Sequence, residues 1–272
     1  MIPTRFPERY HAIDAHNHVW FGPNGVNVQR AEQLLEAADA LGIESICVSV
    51  PLKDRAVHPE KFRAANDAVL QAMSMSNRFC GFCFVDAAFA EEAVAEIDRC
   101  ILGHGMKGIK LYHQRKAQDP VQAPVMKRAA ELGVPVLLHA GRFLDPDAMT
   151  REPDTSDAGD FLEALRRYPE TIFMQGHIGG GGDWQWNLRM LEKLASDRYF
   201  IDLSGSVIDA GIIRRTVDTV GADRVLFATD GWFEEAVGKL YAARLSESEM
   251  LKICSGNFRR IESFRKESGA HV

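Results

Sequence analysis

No stretch of this 272-residue chain approaches the roughly 20 consecutive apolar residues that a membrane helix needs, so a membrane-spanning role is set aside. Positive charge is not in excess either. The 32 Lys and Arg face 38 Asp and Glu, a formal charge of −6, which argues against nucleic acid or an anionic membrane as partner. Cysteine is scarce, and the five residues present are an odd number, which does not suggest a disulfide framework. Cys80 and Cys83 form a CGFC, but the flanking Phe79, Phe82, Phe84 and Val85 read as a buried strand rather than a redox loop. The first residues lack a charged start followed by an apolar stretch, and the cytoplasm is the expected compartment. Internal repeats, linkers and low-complexity segments are missing. So is the lysine-bearing phosphate loop, and the run Gly179 to Gly182 does not replace it.

What is present is an alternation of short apolar runs with amphipathic stretches, in a chain that is 46% hydrophobic. Strands are predicted at 12–18, 45–50, 79–85, 107–112, 134–139, 172–177, 199–203 and 225–229. Helices are predicted between them, the first over 28–41 and the last ending near Ile253, with a polar tail after Arg260. Residues 141–156 are expected to be irregular. Strands alternating with helices imply parallel strands and right-handed crossovers. Eight such units in about 250 residues fit an α/β fold of the (β/α)8 TIM-barrel type, with residues 1–272 as a single domain. An open doubly wound sheet is the alternative.

Active sites of such barrels lie where strands end, and here the strand ends are polar. Strand one ends in Asp14-Ala15-His16-Asn17-His18, with His16 and His18 two apart and so on one side. Strand four carries Lys110, strand five ends at His139, strand six at His177 and strand eight at Asp230. Burying imidazoles and charges without partners costs several kcal/mol, roughly, for each group. A divalent cation resolves the conflict, because imidazole and carboxylate are its usual ligands. One histidine at a strand end is an ordinary core residue; the full set is not. His11, His58, His104, His113 and His271 fall elsewhere and read as surface residues.

The stretches IDAHNHV (13–19), GIKLY (108–112), LLHAG (137–141), QGHIGG (175–180), IDLSGS (201–206), FATDGW (227–232) and SGNFRRI (255–261) resemble the amidohydrolase superfamily. The likeness is closer to its amidohydrolase-related branch, which includes aminocarboxymuconate semialdehyde decarboxylase. The resemblance implies that His16, His18, His139 and Asp230 hold one ion, zinc being expected. His177 is then either a ligand of a second ion or a catalytic residue. It also leaves Lys110 as a carboxylated bridge between two ions or as a cation for substrate, with one ion and the cation preferred.

The reaction expected on these grounds is hydrolysis of an amide, lactone or ester-like bond in a small carboxylated substrate. Asp230 would deprotonate metal-bound water, and His177 would help stabilise the oxyanion. A metal-dependent decarboxylase of the same fold is the alternative, followed by a non-catalytic binding protein. Trp20, Tyr112, Arg142 and Ser204 are the candidate substrate contacts, with Lys53, Arg55, Arg115 and Arg151 forming a basic rim. Asp202 is placed as an orienting or substrate-contacting residue. The expected partner is a small molecule, with self-association as a homo-oligomer left open.

Overall fold

The computed structural model describes residues 5–178, 182–205, 209 and 211–267. Eight parallel strands follow one another around a ring: β1 Ala12–His18, β2 Ile43–Ser49, β3 Phe79–Phe84, β4 Gly108–Leu111, β5 Pro135–His139, β6 Ile172–Gly176, β7 Tyr199–Asp202 and β8 Val225–Leu226. Backbone bonds from Ala15 N–H to Phe227 O (2.9 Å) and from Asp230 N–H to His16 O (2.8 Å) join the last segment to the first. The architecture is the expected (β/α)8 barrel. Among the described residues, no helix is long and apolar enough to cross a membrane.

Alternation along the strands divides the core into two clusters. Ile13, Cys47, Phe82, Leu137, Met174, Phe200 and Leu226 pack together inside the ring, while neighbours such as Val48, Cys83, Val136, Phe173 and Ile201 pack outward against the helices. Helices α1 (Val28–Leu41), α2 (Pro59–Met75), α3 (Ala90–Asp98) and α4 (Ala123–Leu132) each follow a strand. The start of α1 is set by Asn27, whose side chain accepts from Arg30 N–H, and its buried face is Ala31, Leu34 and Ala38. The 141–156 segment is not wholly irregular, since it contains the short α5 (Pro146–Arg151). The next helix, α6 (Ala158–Arg167), begins with a capping box of Asp157 and Asp160.

Helices α7 (Trp184–Leu191), α8 (Ile212–Val220), α9 (Phe233–Ala242) and α10 (Glu247–Leu251) complete the shell, and the chain does not stop being helical at Ile253. A π-turn over Lys252–Gly256 leads into α11 (Asn257–Glu267). The polar composition of this end hides an apolar stripe. Phe258 and Ile261 are buried in the inner cluster, with Phe264 packed against it.

The SGN of 255–257 is the fastener for this plug. Ser255 Oγ donates to Tyr10 O (2.7 Å), and the Asn257 amide donates to the carbonyls of Ala222 and Val225, both at 2.7 Å. Replacing Asn257 with Ala leaves two buried carbonyls without that donor and should cost about 2 kcal/mol. The melting temperature should then fall by about 4–8 °C in a chain of this size. Denaturant and thermal melts check this, and a variant as stable as wild type would refute the fastening role.

Candidate metal centre

Strand β1 is not regular where it matters. Its pairing with β2 shifts register between Asp14 and Asn17. Ile13 before the shift and Ala15 within it belong to the inner cluster, and the rings of His16, also within it, and His18, beyond it, meet edge to face with centroids 5.1 Å apart. Without the extra residue, His16 would lie on the face opposite Ala15. The slip is held by Asp14, which is fully buried. It accepts from His16 N–H, Asn17 Nδ2, Thr229 N–H and Thr229 Oγ1, tying β1 to the segment after β8. Desolvation raises this carboxyl to about 6 against those hydrogen bonds.

Asp202, at the end of β7, has no exposed surface and orients two histidines. Its Oδ2 lies 2.8 Å from His16 Nδ1. Its Oδ1 accepts from His177 N–H (3.0 Å), Ser204 N–H (3.0 Å) and Ser204 Oγ (2.6 Å). Ser204 Oγ in turn sits 2.8 Å from His177 Nδ1. Burial opposes the charge on Asp202, but His16 beside it holds the carboxyl well below the usual range. The hydrogen bond at Nδ1 leaves the His16 Nε2 lone pair facing inward. His18 is set the same way, with Nδ1 on Ser49 Oγ at 3.1 Å and Nε2 at 2.9 Å from Asp230 Oδ1.

Two glycines allow this crowding. A Cβ on Gly176 would stand 3.1 Å from both His16 Cε1 and Leu138 O. At Gly205, where φ is +106°, it would stand 3.1 Å from His177 Cβ. Among the described residues four non-glycines take left-handed backbone, and two of them are here, His177 (φ 75°) and Asp230 (φ 50°); the others are His11 and Arg244. Such strain persists where surrounding bonds enforce it and gathers at functional sites.

Asp230 lies at the centre. Its carboxylate is 3.8 Å from His16 Nε2 and from His177 Nε2. Its side chain is 24% exposed, against 0% for Asp202 and His16, so it is the cluster's accessible acid. Burial would raise its pKa, but the hydrogen bond from His18 and the nearby imidazoles keep it far below the usual range. Desolvation lowers His18 to about 4 and His177 to about 3, so both imidazoles are neutral and carry free lone pairs at neutral pH.

The structure therefore brings together His16, His18 and Asp230, whose donor atoms lie within 4.8 Å of one another; His16, His177 and Asp202 form a second such set. Two imidazoles and an ionised carboxylate, the rings oriented by Asp202 and Ser49, fit a divalent ion. His139 does not fall in the first set. Its Nδ1 is 3.1 Å from His177 Nε2, and its Nε2 is 3.6 Å from Glu152. Lys110 Nζ sits 2.7 Å from His16 Nε2, so lysine and ion would compete for one lone pair; burial lowers this amine to about 8.

The other expected contacts are spread more widely. Tyr112 stacks on His139 at 4.4 Å. Ser204 serves His177, as described. Trp20 packs under Arg30, and Arg142 is paired with Asp157 (3.0 Å) while lying over Trp186 (3.8 Å). Gly179–Gly181 lie outside the described residues; Gly182 bridges to Phe143. His113 is not a surface residue but 5% exposed, because the turn after β4 folds inward under Gln114. Glu152 was not anticipated. It lies in the segment where only irregular backbone is expected, and no periodicity marks it.

The Amidohydrolase family model (Amidohydro_2) matches residues 13–261. This chain belongs to the amidohydrolase family. A gamma-resorcylate decarboxylase from Rhizobium radiobacter is 24% identical over 279 aligned positions, covering 84% of this chain and 85% of that protein. The structure of 2,6-dihydroxybenzoate decarboxylase from Rhizobium superposes with a TM-score of 0.72 at 19% identity, over 93% of this chain and 98% of that one. A dihydroxybenzoic acid decarboxylase from Polaromonas, solved with manganese and an inhibitor, also gives 0.72, at 18% identity, over 96% and 99%.

This amidohydrolase-family chain is an enzyme of the superfamily, but the expectation of hydrolysis is overturned. The curated relative and both structures just described are named decarboxylases, and the alternative reading is the one that fits them. The physical reason for the error is that one donor set serves both chemistries. Each needs a cation to gather substrate oxygens and an accessible acid–base group. A divalent ion agrees with the family and with the manganese-bound neighbour, whereas zinc is not singled out.

Two outcomes follow. Asp202→Asn should weaken manganese binding by about 10- to 100-fold, read by calorimetry; unchanged affinity would remove Asp202 from the orienting role. For the metal-free protein, the lowered His18 and His177 mean that the unfolded chain takes up protons below the ordinary 6.5 while the fold resists until about 4 and 3. Their contribution is complete above 6.5 and is lost as pH falls; Asp14 opposes it, while His139 and His113, also lowered by burial, add to it. Melting temperature should decline steadily from pH 6.5 toward 4, and less so in His177→Asn; a flat profile contradicts the assignment.

Proposed function

We propose that this protein is a metal-dependent decarboxylase of small ring-bearing carboxylic acids. Asp230 is the observation that carries the reading, being the ionised acid that lies against His16, His18 and His177 together while its side chain stays 24% exposed. His16, His18 and Asp230 would hold the ion, with His139 beside them through its contact with His177. Zinc and manganese both suit two imidazoles and a carboxylate. Bound there, the ion supplies positive charge to hold the carboxylate oxygens of the substrate. The five free cysteines accord with a reducing compartment, the cytoplasm.

Loss of CO2 from a ring replaces a carbon–carbon bond with a carbon–hydrogen bond. The protein must hold a proton and place it on the carbon that carries the carboxylate. Asp230 takes that proton from the bound substrate or solvent and returns it to the carbon, and the electrons of the broken bond restore the ring. His177, its Nδ1–H donating to Ser204 Oγ, stays neutral and accepts from a substrate hydroxyl through Nε2. Lys110, unmodified, leaves His16 and faces the substrate carboxylate. Tyr112 and Trp20 wall the ring, with Arg142 at the rim.

Metal-loaded protein incubated with 2,6-dihydroxybenzoate and other hydroxybenzoates should release CO2 and the decarboxylated ring in equal amounts. In D2O the vacated carbon should carry deuterium. Chelation should abolish turnover, and Asp230→Asn should reduce it by at least about 10²-fold. Release of an acid from amide or lactone substrates, with no CO2 from any benzoate, would defeat the reading.

A further inference from the structure

The rings at the barrel mouth form a continuous stack. His16 lies on His177 at 5.1 Å, His177 meets His139 at 4.9 Å, His139 lies on Tyr112 at 4.4 Å, and Tyr112 meets His113 at 4.7 Å. The outer end of the stack is anomalous. His113 is 5% exposed, yet its Nε2 has no hydrogen-bond partner. A buried polar atom left unpaired destabilises a fold, and native proteins retain one where function requires it.

The residue that follows determines the surroundings of His113. Gln114 Nε2 donates to the carbonyls of Leu52 (3.0 Å) and Asp54 (2.9 Å), clamping the loop after β2 onto the turn after β4. Lys53, an exposed cation, is held between those two anchored carbonyls. Lys53, Glu152 and Asp154 all act electrostatically on His113, while burial keeps its imidazole neutral. The surroundings of this unpaired ring nitrogen thus carry one cation and two carboxylates close enough to act on it electrostatically. A second substrate carboxylate would be repelled by Glu152 and Asp154. A hydroxyl, which both donates and accepts, suits the whole set.

We propose that His113 Nε2 and Lys53 form a recognition subsite for a hydroxyl on the substrate ring, separate from the metal centre. The proposal rests on the decarboxylase reading for its substrate class. His113 touches the substituent and not the reacting carbon, so it sets specificity.

The test is calorimetry of manganese-loaded protein with benzoate and with its 2-, 3- and 4-hydroxy derivatives. In the wild type at least one hydroxyl position should tighten binding about tenfold or more over benzoate. His113→Phe, which keeps the ring on Tyr112, should erase that preference, leave benzoate binding unchanged and melt no lower than wild type. Lys53→Met should reduce the preference in part. A His113→Phe variant that retains the preference overturns the subsite. So does one that loses benzoate binding together with thermal stability, since that is the signature of a packing role. If the preference behaves as expected but no CO2 is released, the subsite stands and the decarboxylation reading fails. If no benzoate binds at all, both fail.

Discussion

The site depends on one carboxylate that never meets solvent. Asp202 is fully buried, and each of its oxygens sets a different histidine: one takes His16 Nδ1, the other takes the backbone of His177 and, through Ser204, its ring. A buried charge is costly unless every lone pair is used. Here that requirement works in favour of the site, because the donors that satisfy Asp202 are the groups that must be aimed. The same carboxylate determines which nitrogen of His16 is left free. A shift in β7 would therefore disturb the histidines on β1 and just after β6 at once.

Around this anchor the backbone gives way to the side chains. Strand β1 loses register beside its histidines, β8 forms only two ladder residues, and His177 and Asp230 take left-handed backbone. Regular pairing would satisfy the main chain but send these side chains elsewhere. Asp14 offsets the loss by accepting the Thr229 and His16 amides that the ladder leaves open. The barrel mouth is thus less regular than the wall below it, and the irregularities coincide with the residues that carry chemistry.

Much of this was legible in the residues. The period-two and helical patterns place the strands within a few residues, and β1 and α1 have the expected bounds, because their apolar faces are unambiguous. The polar strand ends His16, His18, His177 and Asp230 do converge. Other features were hidden for physical reasons. The stripe of Phe258 and Ile261 was masked by the charged residues between them. Glu152 reaches the site from a segment whose path no periodicity specifies. His113 reads as a surface residue in the sequence because its burial depends on Gln114 gripping a distant loop. Hydrolysis and decarboxylation were not separable, since the ligands record what holds an ion and not which bond is broken near it.

The plug formed by α11 bears on how the chain comes to be folded. The inner cluster is incomplete until Phe258 and Ile261 arrive, and β1 has no neighbour on one side until the segment around Phe227 is made. During synthesis the growing chain would therefore present an open, partly wound sheet with exposed edges for most of its length on the ribosome. Closure waits for the segment from Phe227 to Ile261, and a chain that stops short of it is a barrel without a floor.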